Sequence, residues 1–371
     1  MAILGIVAVT PALTEISNSL NIPKDRIGLV VSMFALPGII FTPVYGFLAD
    51  KYGRKKVIVP SLFVFGIFGT LTFFVNDFNF LLILRFLSGT GAASLGALNV
   101  TLIGDFFSDA DRKKVLGYNN GVLNLGTTVI PLLGGFLAKI SWNYVFILPS
   151  LAVLLGMWMI FSFKEPEITS RKSLNYFREF IKAIKEKTIF LVYIINILTY
   201  IIFFGSIWNY TSFIIEKNFV SSTVVNAVVI SSLSFTAAVT SMFYGKISAG
   251  TGHRKLFAFV FLMNAIALVL VNFASSWYML FIPMVIFGVG FGLNLPNMQA
   301  LIIKHSPENQ RGSIVSINRT CTLLGQFTGP LISGLVLYMF SNSIERYSYI
   351  FYFGSALSLL TLIISQFLDK E

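Results

Sequence analysis

The eleven residues GFLADKYGRKK, Gly46 to Lys56, carry five charges between two runs of almost unbroken apolar sequence. Hydrophobic residues make up 56% of the chain and charged residues 12%, where a soluble domain has about a quarter charged. With a mean hydropathy of +0.80, the flanking runs read as membrane spans and the charged knot as a tight loop between two of them. A hydrocarbon core about 30 Å thick takes roughly 20 apolar residues per helix. Such stretches recur near 1–14, 27–48, 57–75, 79–107, 115–138, 143–163, 189–213, 224–246, 256–274, 277–303, 312–338 and 347–367. They are too long and too uniformly apolar for membrane β-strands, which alternate in and out over about ten residues. The expected fold is all-α, with twelve transmembrane helices.

A net charge of +11 does not require a nucleic-acid partner, because the basic residues are distributed by side. Numbering the loops alternately, one face takes twenty of the 27 Lys and Arg, including Lys51, Arg54, Lys55, Lys56, Arg112 and Arg311; the other takes five. The positive-inside rule makes the first face cytoplasmic, with both termini on it, and suits it to anionic lipid headgroups. Arg85 and Arg319 are left inside spans, where each either serves a cavity or coupling role or snorkels to a membrane interface, the cytoplasmic one for Arg319.

The first apolar stretch, Met1 to Leu13, covers only about 20 Å as a helix, which raises the expectation of an upstream start. The single Cys321 reads as a small packing residue. His253 and His305 read as solvated loop residues without metal-ligand company, so no metal or cofactor is expected.

One displacement recurs along the chain. Gly46 and Gly53 are matched by Gly245 and Gly252, Gly89 and Gly91 by Gly288 and Gly290, and Arg112 by Arg311, always 199 residues on. Gly126, Pro131 and Gly135 meet Gly325, Pro330 and Gly334 at the same offset. A shared spacing across several spans indicates homologous halves, and it carries the second span onto the eighth. The expected architecture is two parallel six-helix bundles, 1–163 and 189–371, joined by a cytoplasmic linker, 164–188. Within that linker Leu174, Phe177, Ile181 and Ile184 recur at helical spacing among basic residues, as in an amphipathic helix on a membrane surface. Paired bundles hold a substrate at their seam and expose it alternately to the two sides, which is the architecture of a transporter.

The residues resemble the major facilitator superfamily, and within it the twelve-span drug/proton antiporter-like branch. GFLADKYGRKK resembles the signature loop between spans two and three, with Gly46, Asp50, Gly53, Arg54 and Lys55 in place. RFLSGTGAA from Arg85 resembles the span-four motif, with Ser88 for a commoner Gln. GTTVIPLLGG from Gly126 resembles the span-five antiporter motif, with Ile130 where a Gly usually precedes Pro131. In span eleven, GQFTGPLISG keeps that pair as Gly329 and Pro330. The resemblance implies proton-coupled efflux of a small organic solute across the cell membrane, by a chain expected to be monomeric.

Physical chemistry gives these residues roles beside the resemblance. Gly46 permits close helix approach, and Gly53 a turn that a Cβ would strain. Asp50 suits a helix N-terminus, and Arg54 a charge-assisted bond with Asp105. As the resemblance implies, the loop with Arg112 forms a cytoplasmic latch between the bundles. Arg85 and Arg319, with Asn99, Asn124, Asn196, Asn209, Asn264, Asn294, Asn297 and Gln299, are candidates for coupling or for contact with substrate. Pro131 with Gly134 and Gly135, like Pro330 with Gly334, is expected to let helices bend and pack closely.

No Asp or Glu lies at mid-depth in any span. Protons are left with Glu15, Glu216 or Asp105, or with residues upstream. A uniporter, or an uptake carrier for a neutral or anionic metabolite such as a sugar or organic acid, is the alternative. A non-transporting sensor with a transporter fold comes third. No span presents the residue constellation of an enzyme.

Overall fold

A computed structural model of the protein describes residues 4–107, 109–163, 165, 186–218, 223–306, 311–341, 343 and 346–368. Every regular element among them is helical. By internal packing the chain falls into two units, Met1–Ile22 with Leu29–Leu174, and Pro23–Gly28 with Asn175–Glu371. The amphipathic helix expected in the linker lies outside the described residues.

In the first unit, α1 (Leu4–Val7) and α2 (Leu13–Ser19) are separated by a 3-10 turn, Thr10–Ala12. Pro11 in that turn lacks the N–H that a continuous α-helix needs. The expected single stretch over 1–14 is therefore a broken helix that runs on to Ser19. There follow α3 (Leu29–Tyr52), α4 (Arg54–Leu71), α5 (Phe78–Phe106), α6 (Asp109–Ile140) and α7 (Ser150–Ser162). Asp77 caps α5, its carboxylate accepting the Phe80 N–H at 2.8 Å.

The second unit holds α8 (Lys187–Ile202), α9 (Trp208–Asn218), α10 (Thr223–Met242), α11 (Tyr244–Ser248), α12 (His253–Val271), α13 (Phe281–His305), α14 (Arg311–Met339) and α15 (Arg346–Ser365). Among the described residues, nine helices are long and apolar enough to cross a membrane, and 29–42 and 125–140 add shorter apolar stretches. Many large apolar side chains lie outermost, among them Phe161, Met339 and Phe74. Acyl chains solvate such a surface as water would not.

Packing within each unit repeats at the offset seen in the sequence. A Cβ on Gly89 would strike the Phe34 carbonyl and Pro37; on Gly288 it would strike the Leu233 carbonyl and Thr236. Gly91 lies against the Phe65 backbone and the Ser61 carbonyl, and Gly290 against Asn264 and the Val260 carbonyl. Every partner in one half is 199 residues from its partner in the other. Without hydrophobic attraction between helices in lipid, such small-residue contacts let backbones approach and van der Waals packing hold them.

Between α8 and α9, Phe203–Ile207 wind as a π-helical bulge. Gly205 lies so close to the Gly329 carbonyl that a side chain there would collide at 2.8 Å. The polar groups freed by the bulge are bonded inside the unit: Ser333 Oγ donates to the Gly205 carbonyl, and Asn209 Nδ2 donates to the Phe204 carbonyl at 2.6 Å. Irregular backbone at membrane depth persists only where protein satisfies it in this way.

Candidate functional site

The charged loop is the tightest junction in the first unit. α3 ends at Tyr52 and α4 begins at Arg54, so the whole reversal falls on Gly53, at φ 104° and ψ 153°. That region is essentially closed to residues with a Cβ. The Glu165 carboxylate occupies the space beside it, accepting hydrogen bonds from the backbone N–H of Arg54 and, at 2.9 Å, of Lys55. A carboxylate there meets both the unsatisfied donors and the positive end of the α4 dipole. Lys55 Nζ crosses the other way, donating to the Ile160 and Phe163 carbonyls at 2.8 Å, at the negative end of α7. The start of α4 and the end of α7 are thus tied in both directions.

Glu165 was not among the residues read from the sequence. It lies 111 positions from Arg54, and no local pattern announces the contact. Gly46 sits half-buried within α3. The side chains of Asp50, Asp105, Arg112 and Asn124 lie outside the described residues, and with them the expected pairing of Arg54 with Asp105.

The two intramembrane arginines differ. Arg85 is 2% exposed; its Nε donates to the Val30 carbonyl at 3.0 Å and its guanidinium lies over the Phe34 ring, 4.3 Å from the centroid. This answers part of the desolvation cost of a buried cation through a hydrogen bond and a cation–π contact, while Nη2 has no described partner. Arg319, read as serving a cavity or snorkelling to an interface, is exposed on the surface of the second unit, because its stretch of α14 turns one face away from the unit's core. On the same helix, Gly325 packs against Tyr200 of α8.

Most of the polar spans are occupied. Asn196 Nδ2 donates to the Asn318 carbonyl and side chain at 2.8 Å, and Asn294 Nδ2 to Thr199 Oγ1 at 3.1 Å. Asn99 Nδ2 donates to Asn119 Oδ1 at 3.0 Å. Asn264 is buried beside Gly290, whereas Gln299 is exposed. The histidines are not solvated loop residues. His253 opens α12, with Nδ1 2.7 Å from Asn297 Oδ1, and Asn297 Nδ2 donates to the His253 carbonyl at 3.1 Å. His305 ends α13, 3.3 Å from Glu186. Both sit at helix ends, where neighbouring helices supply partners.

Of the small residues expected to pack or bend, Gly134 lies against the Ala8 carbonyl, Gly325 against the Ile197 carbonyl and Tyr200, Gly329 against Ile201 and Gly205, and Gly334 against the Asp25 carbonyl. Pro131 and Pro330 stand inside α6 and α14, and Gly135 is buried. Gly126 meets only Ile130 of its own helix.

Two homologous helical units, a charged inter-helix loop and cations set within lipid-spanning helices define a membrane carrier before any likeness is considered. The chain belongs to the Major Facilitator Superfamily, whose family profile matches residues 1–219 and 189–371. It is 25% identical to the bacillibactin exporter of Bacillus subtilis over 347 residues, 88% of this chain and 85% of that protein. With the quinolone resistance protein NorA of Staphylococcus aureus it shares 27% over 337 residues, 89% and 86% of the two chains. The solved structure of a bacterial homologue of the human lysosomal transporter Spinster superposes with a TM-score of 0.81 at 16% identity, covering 99% of this chain and 92% of that one. The protein is a multi-pass membrane transporter and not an enzyme.

Proposed function

We propose that this transporter exports small organic compounds across the cell membrane by alternating access, driven by a proton gradient. The observation that carries the reading is likeness along nearly the whole chain to an exporter and to a drug-resistance protein. In this reading the halves 1–163 and 189–371 are twelve spans in two six-helix bundles joined by 164–188, with both termini in the cytoplasm. The linker and basic loops lie on anionic headgroups, and the chain works as a monomer. The loop of Gly46, Asp50, Gly53, Arg54 and Lys55, with Asp105 and Arg112, latches the cytoplasmic side. Arg85 shapes the coupling pathway, and the glycines and prolines of α6 and α14 allow the bending that exchanges access.

Inside-out vesicles containing the chain, energised by a pH gradient, test this with a panel of fluorescent organic compounds. Export predicts uptake into the vesicles that a protonophore abolishes. Uptake indifferent to the gradient makes the chain a uniporter, and binding without flux makes it a sensor; either result overturns the proposal. Asp50→Asn should cut transport at least about tenfold at unchanged membrane insertion; normal transport by that variant removes the latch.

A further inference from the structure

The face of the second unit that carries Arg319 combines three kinds of group. The guanidinium is exposed, and no carboxylate or other hydrogen-bonding partner is described for it. Tyr200 and Phe291, both half-buried, meet edge to face with centroids 6.0 Å apart. Behind them Phe203 stacks on Phe291 at 4.4 Å and on Trp208 at 4.9 Å, which gives the surface rings a rigid aromatic backing. The Phe203–Ile207 bulge holds this backing, for Phe203 opens it and its polar groups are bonded internally.

Depth orders these groups. Arg319 lies about 12 Å along α14 from its first residue, while Tyr200 and Phe291 lie roughly 20 Å from the same-side ends of α8 and α13. The cation thus sits nearer one end and the rings deeper. Arg319 is the third residue of the apolar stretch Ile317–Met339, so its guanidinium stands near one end of the span, within reach of water or of a polar ligand, and the described residues supply no counter-charge. A guanidinium forms paired hydrogen bonds with a planar carboxylate, and aromatic rings stack on the Tyr200 and Phe291 surface.

We infer that this face is the substrate-binding surface of the second unit and that it selects aromatic organic anions, with the anionic group on Arg319 and the ring against Tyr200 and Phe291. The inference rests on the transport reading and narrows it to a substrate class. Cationic aromatics are disfavoured, because like charge at Arg319 opposes them and it has no carboxylate partner among the described residues.

Three probes of one shape separate the contributions: 2-naphthoate, 2-naphthylmethanol and 2-naphthylmethylammonium, titrated calorimetrically into the purified full chain in detergent. The anion should bind at least about tenfold more tightly than the other two, a factor set by one charge-assisted contact. Arg319→Gln should bring the anion to the level of the neutral alcohol, Arg319→Lys should keep part of the preference, and Phe291→Ala should weaken all three by a similar factor. Equal affinities in the native chain, or a preference that survives Arg319→Gln, overturn the inference. Arg319 is exposed, so its variants are not expected to unfold the unit, and thermal unfolding checks this. The same binding pattern without gradient-driven flux in vesicles would sink the export reading while leaving the binding surface standing; flux without the pattern would do the reverse.

Discussion

The loop at Gly53 and its counterpart at Gly252 began as one sequence and now solve the same problem differently. In the first half α3 runs through Asp50, Lys51 and Tyr52, and the chain reverses on Gly53 alone. In the second half α11 stops at Ser248, and the positive φ, 79°, has moved to Gly250, at the position matching Lys51. Gly252 is left at φ −61° and ψ 150°, a conformation open to any residue. The caps differ as well. Glu165 holds the start of α4 with a carboxylate, whereas α12 is clipped by the contact of His253 with the Asn297 amide. One tie persists in altered form: Lys55 reaches the end of α7, and Arg254, 199 residues on, donates to Gln366 Oε1 at 2.9 Å just past α15. Joining α4 to α7 in one half and α12 to α15 in the other is thus common to both, while the chemistry of the joint is free to change.

The comparison breaks most readily at its glycines. Gly53→Ala should lower stability by about 3 kcal/mol, since the backbone region excludes a Cβ and the new methyl would meet Glu165 at 2.8 Å. Scanning fluorimetry of the purified protein at one fixed heating rate should show this as a clear drop in Tm, and an unchanged Tm would refute the strained turn. Asn297→Ala removes a buried side chain bonded to His253 and Tyr244, and should cost about 1–2 kcal/mol. A Tm like that of the native chain would show that the clip is not a structural joint.

Glu165→Gln retains shape but loses charge at an exposed cap, and about 0.5–1 kcal/mol is expected. Added to Gly53→Ala it should cost less than the sum, because both changes disturb one contact; full additivity would mean that the carboxylate and the turn are independent. Gly252→Ala, the mirror of the largest change, should stay within about 0.5 kcal/mol, and a loss equal to that of Gly53→Ala would erase the asymmetry between the halves.

Much of the architecture was legible in the residues. Apolar runs identify membrane helices because lipid leaves backbone polar groups no partner but each other. The 199-residue displacement was equally open, since a glycine packed against a backbone tolerates no replacement, and matched contacts therefore keep matched glycines. The candidate site was less so. Composition put Arg85 and Arg319 in spans but was silent on which side of a helix each occupies, and only one is enclosed. Pro11 and the Phe203–Ile207 bulge interrupt runs whose hydropathy is continuous, since a side-chain average does not register a missing N–H or a widened turn.

By itself, the sequence determined an integral membrane protein of helices whose two halves share one spacing of glycines and prolines. Those properties depend on local chemistry, the transfer of side chains and backbone from water to hydrocarbon, which each segment expresses alone. Tertiary structure decided that Glu165 completes the charged loop, that Asn297 clips His253, and that Arg319 lies open beside Tyr200 while Arg85 is closed over Phe34. Each depends on segments remote in the chain being brought together, by packing geometry that no single segment contains.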